Sequence, residues 1–146
     1  MRKHMILAVA AGLLLAADAK DDAVQKEFKL FEGTWKVASL EIDGAKQAED
    51  VYKEWKLVCK GENFTFDDGN MASKGVFKID PSKKPKTLDI IFKEGGNQGM
   101  TMLGLYEIDG ETFRACFKPG SETRPTEFTA KQGSGQILET LKKEKK

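Results

Sequence analysis

Histidine is the residue type most often used for acid–base chemistry near neutral pH, and this chain of 146 residues has only one, His4. His4 lies in an N-terminal segment that we expect to be removed from the mature protein. Without it, no histidine remains to act as a general base or to ligate a metal, which excludes Ser-His-Asp and Cys-His catalysis. We therefore expect no catalytic residue, no metal and no cofactor, and we predict that the protein is not an enzyme.

Two cysteines, Cys59 and Cys116, raise the question of a disulfide, because exported proteins leave the reducing cytosol. Strand alternation places Cys59 on the inward face with Leu57. It places Cys116 on the outward face with Arg114 and Lys118. A disulfide requires Cα atoms within about 7 Å, and the strands predicted below to carry these cysteines are not neighbours. We expect two free thiols, one buried and one partly covered.

Two loops resemble ligand-binding motifs in composition only. Asp67-Asp-Gly-Asn70 has oxygen donors suited to calcium, but it lacks the regular spacing and the distal glutamate of a calcium loop, so a hairpin turn is favoured. Glu94-Gly-Gly-Asn-Gln-Gly99 is glycine-rich, yet it joins two strands. It therefore lacks the helix N-terminus that makes such loops hold phosphate.

Carboxylates in or near strands leave a glycosidase-type pair open as an alternative. Alternation places most of them on the solvent face, where charge serves solubility first. These residues are Glu41, Asp89, Glu107, Glu127 and Glu139.

The N-terminus has the outline of a signal peptide. Basic Arg2 and Lys3 precede an apolar run over residues 5–17, and Ala17-Asp18-Ala19 provides the small-x-small site of a signal peptidase. The run is shorter than the ~20 residues that a membrane-spanning helix needs, although an uncleaved N-terminal anchor is the alternative. We predict a signal peptide over 1–19, a mature domain over 20–146, no stable membrane insertion after cleavage, and export to the periplasm or the exterior.

The charge of the predicted mature chain is balanced. Removal of residues 1–19 leaves 22 basic and 22 acidic residues of the 24 and 23 in the whole chain. Because the two signs are interspersed, no one-signed face is available for phosphate backbones. Nucleic acid is therefore excluded as a partner.

Short runs of alternating hydrophobicity, broken by Gly, Asp, Asn and Pro, indicate an all-β domain with eight strands. Aspartate–glycine pairs mark tight hairpins, and the four prolines fall outside the runs. In the first run the apolar parity changes between Val37 and Leu40, which predicts a β-bulge near Ser39. The runs are Thr34–Ile42, Lys56–Lys60, Asn63–Asp67, Ala72–Asp80, Thr87–Lys93, Met100–Ile108, Thr112–Lys118 and Gln136–Lys143.

Two segments have helical periodicity. Asp21 or Asp22 can cap a short N-terminal helix whose Val24, Phe28 and Phe31 form one apolar stripe, and this helix would close one end of a barrel. A second short helix is predicted within residues 47–55, between the first and second strands. It is either a lid over the open end or a plain surface helix.

Gly33-Thr34-Trp35 at the start of the first strand resembles the Gly-x-Trp motif of lipocalins and other calycins. With further motifs along the chain it is similar to a lipocalin-like domain family abundant in planctomycete bacteria, generally as exported single-domain proteins without an assigned activity. The motifs are Lys56-Leu-Val58, Asn63-Phe-Thr-Phe66, Gly75-Val-Phe-Lys-Ile-Asp-Pro81, Lys84-Pro-Lys-Thr-Leu-Asp89, Gly104-Leu-Tyr-Glu-Ile108, Cys116-Phe117 and Arg124-Pro-Thr-Glu-Phe128.

The resemblance implies an eight-stranded antiparallel up-and-down barrel, with Gly33 and Trp35 as structural residues at its closed end. By the same analogy Arg124 is expected to stack its guanidinium on the Trp35 ring. Arg114 is the competing arginine, but alternation directs it outward.

A barrel of eight strands is either filled by its own side chains or holds one small ligand. Many bulky inward residues favour a largely filled barrel with at most a small apolar pocket near Met100 and Met102. We expect a non-catalytic module that binds a small hydrophobic ligand; the alternative is an envelope-associated interaction or structural module acting through the outward Leu103 and Leu105. The candidate ligand-binding residues are Phe66, Phe77, Phe92, Met100, Met102 and Tyr106.

Overall fold

The computed structural model describes residues 20–145. The predicted signal peptide and its cleavage site lie outside the described residues, except for Lys20 on the mature side of that site. None of the helices in the described range is both long enough and apolar enough to span a bilayer.

Ten elements follow the first helix, α1, which covers residues 20–31 of the described range. Each of the eight long strands lies within about two residues of a predicted run. The elements are β1 (Gly33–Ile42), β2 (Ala45–Lys46), α2 (Glu49–Tyr52), β3 (Lys56–Lys60), β4 (Asn63–Asp67), β5 (Ala72–Asp80), β6 (Thr87–Glu94), β7 (Thr101–Asp109), β8 (Thr112–Phe117) and β9 (Ile137–Lys143).

The sheet closes on itself. Apart from β2, each strand is antiparallel to the next strand along the chain, and β9 returns to pair with β1. The two-residue strand β2 pairs with the last two residues of β1, Glu41 and Ile42, and is not part of the closed ring of eight strands. The predicted eight-stranded antiparallel up-and-down, lipocalin-like barrel with its two short helices is confirmed.

The predicted bulge in β1 is confirmed and has a further role. Val37 pairs with Leu141 and Ser39 with Thr140, so Ala38 is the extra residue. The bulge returns Leu40 to the inward face. The Tyr52 hydroxyl donates a 3.2 Å hydrogen bond to the carbonyl oxygen of Ala38, which anchors α2 against β1.

Helix α1 closes one end of the barrel. Phe28 and Phe31 are buried in the core, and Val24 packs against it. The Trp35 indole Nε1 donates a 2.8 Å hydrogen bond to the carbonyl oxygen of Phe31. This bond satisfies a carbonyl in the last turn of the helix, which has no partner within the helix.

Residues 118–136, which we call the strap, connect β8 to β9 across the outside of the barrel. Ala130 and Pro125 of the strap are buried, as are Leu105 and Cys116 on the outer face of the sheet. The strap is also bound to the β1–β2 turn, where the backbone N–H of Gly44 donates to the carbonyl oxygen of Ala130. The outer face of β7 and β8 is therefore partly covered by the chain itself.

Candidate functional site

A cavity of about 330 Å³ occupies the half of the barrel opposite α1. This is larger than the small pocket expected from the number of inward aromatic residues, because most of these rings line the cavity and do not fill it. The cavity wall is formed by inward side chains of the strands and by residues at the open end. These include Leu40, Trp55, Leu57, Phe64, Phe66, Leu88, Ile90, Phe92, Met100, Met102, Ala115, Phe117, Ile137 and Glu139.

Aromatic rings form the floor of the cavity. Phe77 and Phe113 line it from below, and each contacts Phe31 of α1, with ring centroids 5.8 and 5.2 Å apart. Phe64 stacks on Phe77 at 4.5 Å and meets Phe92 edge-on at 5.4 Å. The lower half of the barrel is thus filled by packed aromatic rings, and the upper half is open.

Five of the six predicted ligand-binding residues lie in the cavity wall; they are Phe66, Phe77, Phe92, Met100 and Met102. Tyr106 does not, and the expectation that it faces the same pocket is wrong. Its ring lies below the floor, 5.1 Å from the Phe31 ring. Alternation directs Tyr106 inward correctly, but its position along β7 places it in the filled half of the barrel.

The Tyr106 hydroxyl belongs to the junction between the barrel and α1. Among the described residues it has no hydrogen-bond partner, although it is buried. Lys86 Nζ lies 5.9 Å from the ring centroid and donates a 2.8 Å hydrogen bond to Glu27 of α1. Burial, together with the Glu27 carboxylate, raises the pKa of the Tyr106 hydroxyl above its usual value.

The mouth of the cavity is lined by apolar side chains. Trp55 packs edge-on against Phe66 with ring centroids 5.6 Å apart, and Met100 is 39% exposed. Asn97 of the β6–β7 turn also lines the mouth. The predicted helix over residues 47–55 is shorter in the structure, where α2 covers Glu49–Tyr52 and Trp55 follows it as part of the cavity wall.

One ionisable side chain, Glu139, lines the cavity. It is paired in register with Leu40 on β1 and with Ala115 on β8, both of which point inward. Within residues 20–145 its carboxyl group has neither an ion-pair partner within 4.0 Å nor a hydrogen bond from another side chain. Glu139 is half-buried, and the apolar wall around its carboxyl group raises its pKa from 4.5 to about 7.

Alternation in the sequence places Glu139 among carboxylates that mostly face solvent, so it does not predict that Glu139 faces the cavity. In β9, Ile137 and Leu141 share its face, but Leu138 lies on the other one. Glu139 is identified as inward by its pairing with Ala115 on β8, which also faces the cavity. This register depends on pairing between two segments that are distant in the sequence.

The cation above the Trp35 ring is Lys143, whose Nζ lies 5.5 Å from the ring centroid. The expected pairing of Arg124 with Trp35 is therefore wrong. Lys143 is at the end of the last strand, next to the start of β1, so the barrel closure itself brings the two residues together. Gly33 is required here by its φ of +126°, which residues with a side chain rarely adopt, and a Cβ atom at this position would also displace the flexible end of the Lys143 side chain, whose Cε would lie 2.7 Å away.

Arg124 instead holds the strap on the outside of the barrel. Its guanidinium donates to the carbonyl oxygens of Leu88 at 3.2 Å and Gly104 at 2.8 Å, and to the Asp89 carboxylate at 2.6 Å. Arg114 points outward as predicted; it pairs with Glu107 and lies 4.9 Å from the centroid of the Phe128 ring. The role of Arg124 is structural, but its partners differ from those expected.

Both cysteines are free and buried. Cys59 faces the core, and burial raises its thiol pKa to about 12. Cys116 lies on the outer face as predicted, but it is completely buried because the strap covers it, with its Sγ 3.4 Å from the carbonyl oxygen of Thr129. Burial also raises the pKa of this thiol.

In the acidic turn at residues 67–70, the aspartate carboxylates accept hydrogen bonds from the backbone of the turn and of the residue that follows it. Asp67 accepts a hydrogen bond from the Gly69 N–H, and Asp68 accepts from the N–H groups of Asn70 and Met71, all at 2.8 Å. The latter two bonds lower the pKa of Asp68. In the part of the chain that the structure describes, no group of three or more acidic, cysteine or histidine side chains is placed to hold a metal ion.

The outward leucines do not form an exposed patch. Leu105 is 2% exposed and Leu103 is half-buried. The alternative function through the outer surface therefore loses the observation that motivated it.

A second, wider concavity of about 660 Å³ lies outside the barrel, between α1 and the β5–β6 turn. It is lined largely by charged and polar residues, including Lys78, Asp80, Lys83 and Asp89, and it extends to Lys20, where the described residues begin. The interior cavity is surrounded on its sides by the barrel wall and is lined by apolar side chains, so it is the better-defined site.

A closed barrel with an apolar interior cavity is the architecture that lipocalin-like binding proteins share. Comparisons of the chain with models of protein families, with curated proteins and with solved structures found no match.

Proposed function

We propose that this protein is a non-catalytic module that binds one small hydrophobic ligand inside its barrel. The observation that carries this proposal is the cavity of about 330 Å³, which is lined almost entirely by apolar side chains. Sites for small molecules are typically concave, largely apolar and about 300–1,000 Å³ in volume. The cavity lies at the lower end of this range and suits a single slender molecule.

The wall of the cavity has properties that favour binding over catalysis. Its aromatic and aliphatic side chains offer burial of apolar surface, while Met100 and Met102 have flexible side chains that adapt to different shapes. Neither cysteine lines it, and both thiols have a raised pKa, which makes them poor nucleophiles.

We also propose that the chain acts outside the cytoplasm and is related to the planctomycete lipocalin-like proteins that its motifs resemble. The basic start, the short apolar run and the Ala-x-Ala site support export. The Gly33-x-Trp35 pair at the closed end of a barrel supports the kinship. A ligand taken up in this compartment would be held away from water by the barrel wall.

Binding can be tested with N-phenyl-1-naphthylamine, a probe whose fluorescence rises in apolar surroundings. We expect saturable binding at one site per chain. Ala115→Leu, which places a larger side chain on the cavity wall, is expected to weaken binding of the probe about tenfold or more. Ala72→Leu makes the same change at an exposed position of β5, outside both concavities, and is the matched control.

Circular dichroism and thermal unfolding must show that both variants remain folded. The proposal is wrong if the folded wild-type protein does not bind the probe, or if Ala115→Leu and Ala72→Leu bind it equally well.

A further inference from the structure

The lone carboxyl group of Glu139 is an unusual member of the cavity wall. Its neighbours in the ladder are Leu40 and Ala115, and the surrounding wall is apolar. Glu139 is half-buried, and an ionised group that is shielded from water is costly unless it is paired or hydrogen-bonded. Among the described residues, no lysine or arginine lines this cavity, so the protein does not itself provide a cation there.

The small side chain of Ala115 leaves room in front of the carboxyl group. Ala115 and Glu139 lie side by side on adjacent strands, and both contribute to the cavity surface. An atom of a bound molecule can therefore approach the carboxyl oxygens from inside the barrel. A hydrophobic ligand without a polar group would leave this carboxyl group desolvated and unpaired.

We propose that the cavity binds an apolar amine, whose ammonium group pairs with the Glu139 carboxylate while its hydrocarbon part lies among the aromatic and methionine side chains. This inference rests on the proposed function and adds the chemical class of the ligand. An amine supplies the positive charge that the cavity wall lacks. A fatty acid would place a second carboxylate near Glu139, and repulsion would oppose its binding.

The raised pKa of Glu139 agrees with this geometry. In the empty cavity the carboxyl group is partly protonated near neutral pH. Binding of an ammonium ion favours the carboxylate, so the Glu139 proton is released to solvent when the complex forms. A charge-assisted hydrogen bond in a site shielded from water is stronger than one between neutral groups.

The test compares three ligands with the same ten-carbon chain: decylamine, decanol and decanoate. Each is used below its micelle-forming concentration to displace N-phenyl-1-naphthylamine from protein produced from the full chain. We expect decylamine to bind about tenfold more tightly than decanol, or better, and decanoate to bind most weakly. In Glu139→Gln the preference for the amine over the alcohol is expected to disappear.

Glu41→Gln is the matched control, because it removes the same charge from the outward neighbour of Leu40 on β1. It should keep the preference for the amine. Glu139→Leu provides a second variant that removes the polar group entirely, and it should bind decanol at least as well as the amine.

The inference is overturned if decylamine binds no more tightly than decanol, or if Glu139→Gln keeps the wild-type ratio. In both cases binding of decanol and the probe still supports a hydrophobic binding site. If the folded protein binds neither the probe nor any of the three ligands, the proposed function fails as well.

Discussion

Lys143 Nζ lies 5.5 Å from the centroid of the Trp35 ring, where the last strand of the barrel returns to the first. The contact joins residues more than 100 positions apart in the chain. It forms only when β9 pairs with β1, so it reports barrel closure directly.

Gly33 makes this contact possible, and we predict that Gly33→Ala destabilises the protein by about 2–3 kcal/mol. The added methyl group meets the Lys143 side chain, and alanine is strained at the φ of +126°. Urea unfolding monitored by circular dichroism measures the loss. Gly61→Ala is the control: its φ is +57° and no atom lies within 4 Å of the added Cβ. Equal losses in the two variants would contradict this account of Gly33.

The ammonium group of Lys143 over the Trp35 ring should make a modest contribution to stability. We predict that Lys143→Met lowers the free energy of unfolding by about 0.5–1 kcal/mol, the usual range of an accessible cation–π contact. The comparison is Lys142→Met, on the preceding residue of the same strand. It removes a charge that does not lie over Trp35, together with an exposed hydrogen bond to the Thr112 hydroxyl. A larger loss in the Lys142 variant than in the Lys143 variant would argue against a stabilising contact with the ring.

The titration of Glu139 predicts a specific dependence of stability on pH. Its pKa is about 7 in the folded protein, against 4.5 as its ordinary value. Between these pH values the folded chain keeps the proton and the unfolded chain loses it, so a rise in pH favours unfolding. Relative to Glu139→Gln, the wild-type protein should therefore lose stability from pH 4.5 to 7, by at most about 3 kcal/mol.

This effect is measured as the difference in unfolding free energy between the two proteins at each pH, so that the other carboxyl groups cancel. A difference that stays constant across the range would show that Glu139 is solvated like an ordinary surface carboxyl group.

Arg124 anchors the strap that covers Cys116, and we predict that Arg124→Ala lowers the free energy of unfolding by about 2 kcal/mol. Loss of its bonds to Leu88, Asp89 and Gly104 should let the strap open locally. Cys116 should then react faster with a maleimide reagent, while the core residue Cys59 stays unreactive. Peptide mapping by mass spectrometry distinguishes the two thiols.

Lys53→Ala is a suitable control, since its Asp50 partner is highly exposed. If Cys116 and Cys59 are labelled equally fast in Arg124→Ala, the variant opens globally and the strap is not a separate unit.

Export predicts cleavage between Ala19 and Lys20. Protein recovered from the periplasm or medium of a bacterial host should begin at Lys20 by intact mass. Ala19→Phe should block the peptidase, which requires a small residue there, and should leave the chain uncleaved. Recovery of the wild-type chain from the cytoplasm at its full length would contradict the proposed localisation.

Local patterns in the sequence were sufficient to predict the strands, while the closure of the sheet into a barrel was predicted from the resemblance to lipocalin-like proteins. Alternation gave the eight strands, and the change of parity between Val37 and Leu40 located the bulge, because both signals reside within single strands. The site was predicted only in part. Five candidate residues line the cavity, but Tyr106 lies below its floor, because alternation gives the direction of a side chain and not its depth along the barrel.

Contacts between distant segments were not predictable in this way. Glu139 faces the cavity because β9 pairs with Leu40 and Ala115 in one register, while Leu138 on the opposite face obscured the alternation. The partners of Arg124 depend on the path of the strap, which has no periodic pattern of its own. Alternation likewise directs Leu105 outward but does not predict that the strap covers it.

The strap also bears on how this barrel can be re-engineered. A long irregular loop is usually the first place chosen for an insertion or for new termini. Here, interrupting it would uncover Leu105 and Cys116 and would release the β1–β2 turn, where Asp43 accepts hydrogen bonds from Gly133 and Gly135. The short, exposed turn at residues 109–111 makes one such contact, because the carbonyl oxygen of Glu111 accepts a 2.9 Å hydrogen bond from the backbone N–H of Lys143. Circular permutants opened between Asp109 and Gly110 keep Glu111 in place and should retain both the barrel and its cavity.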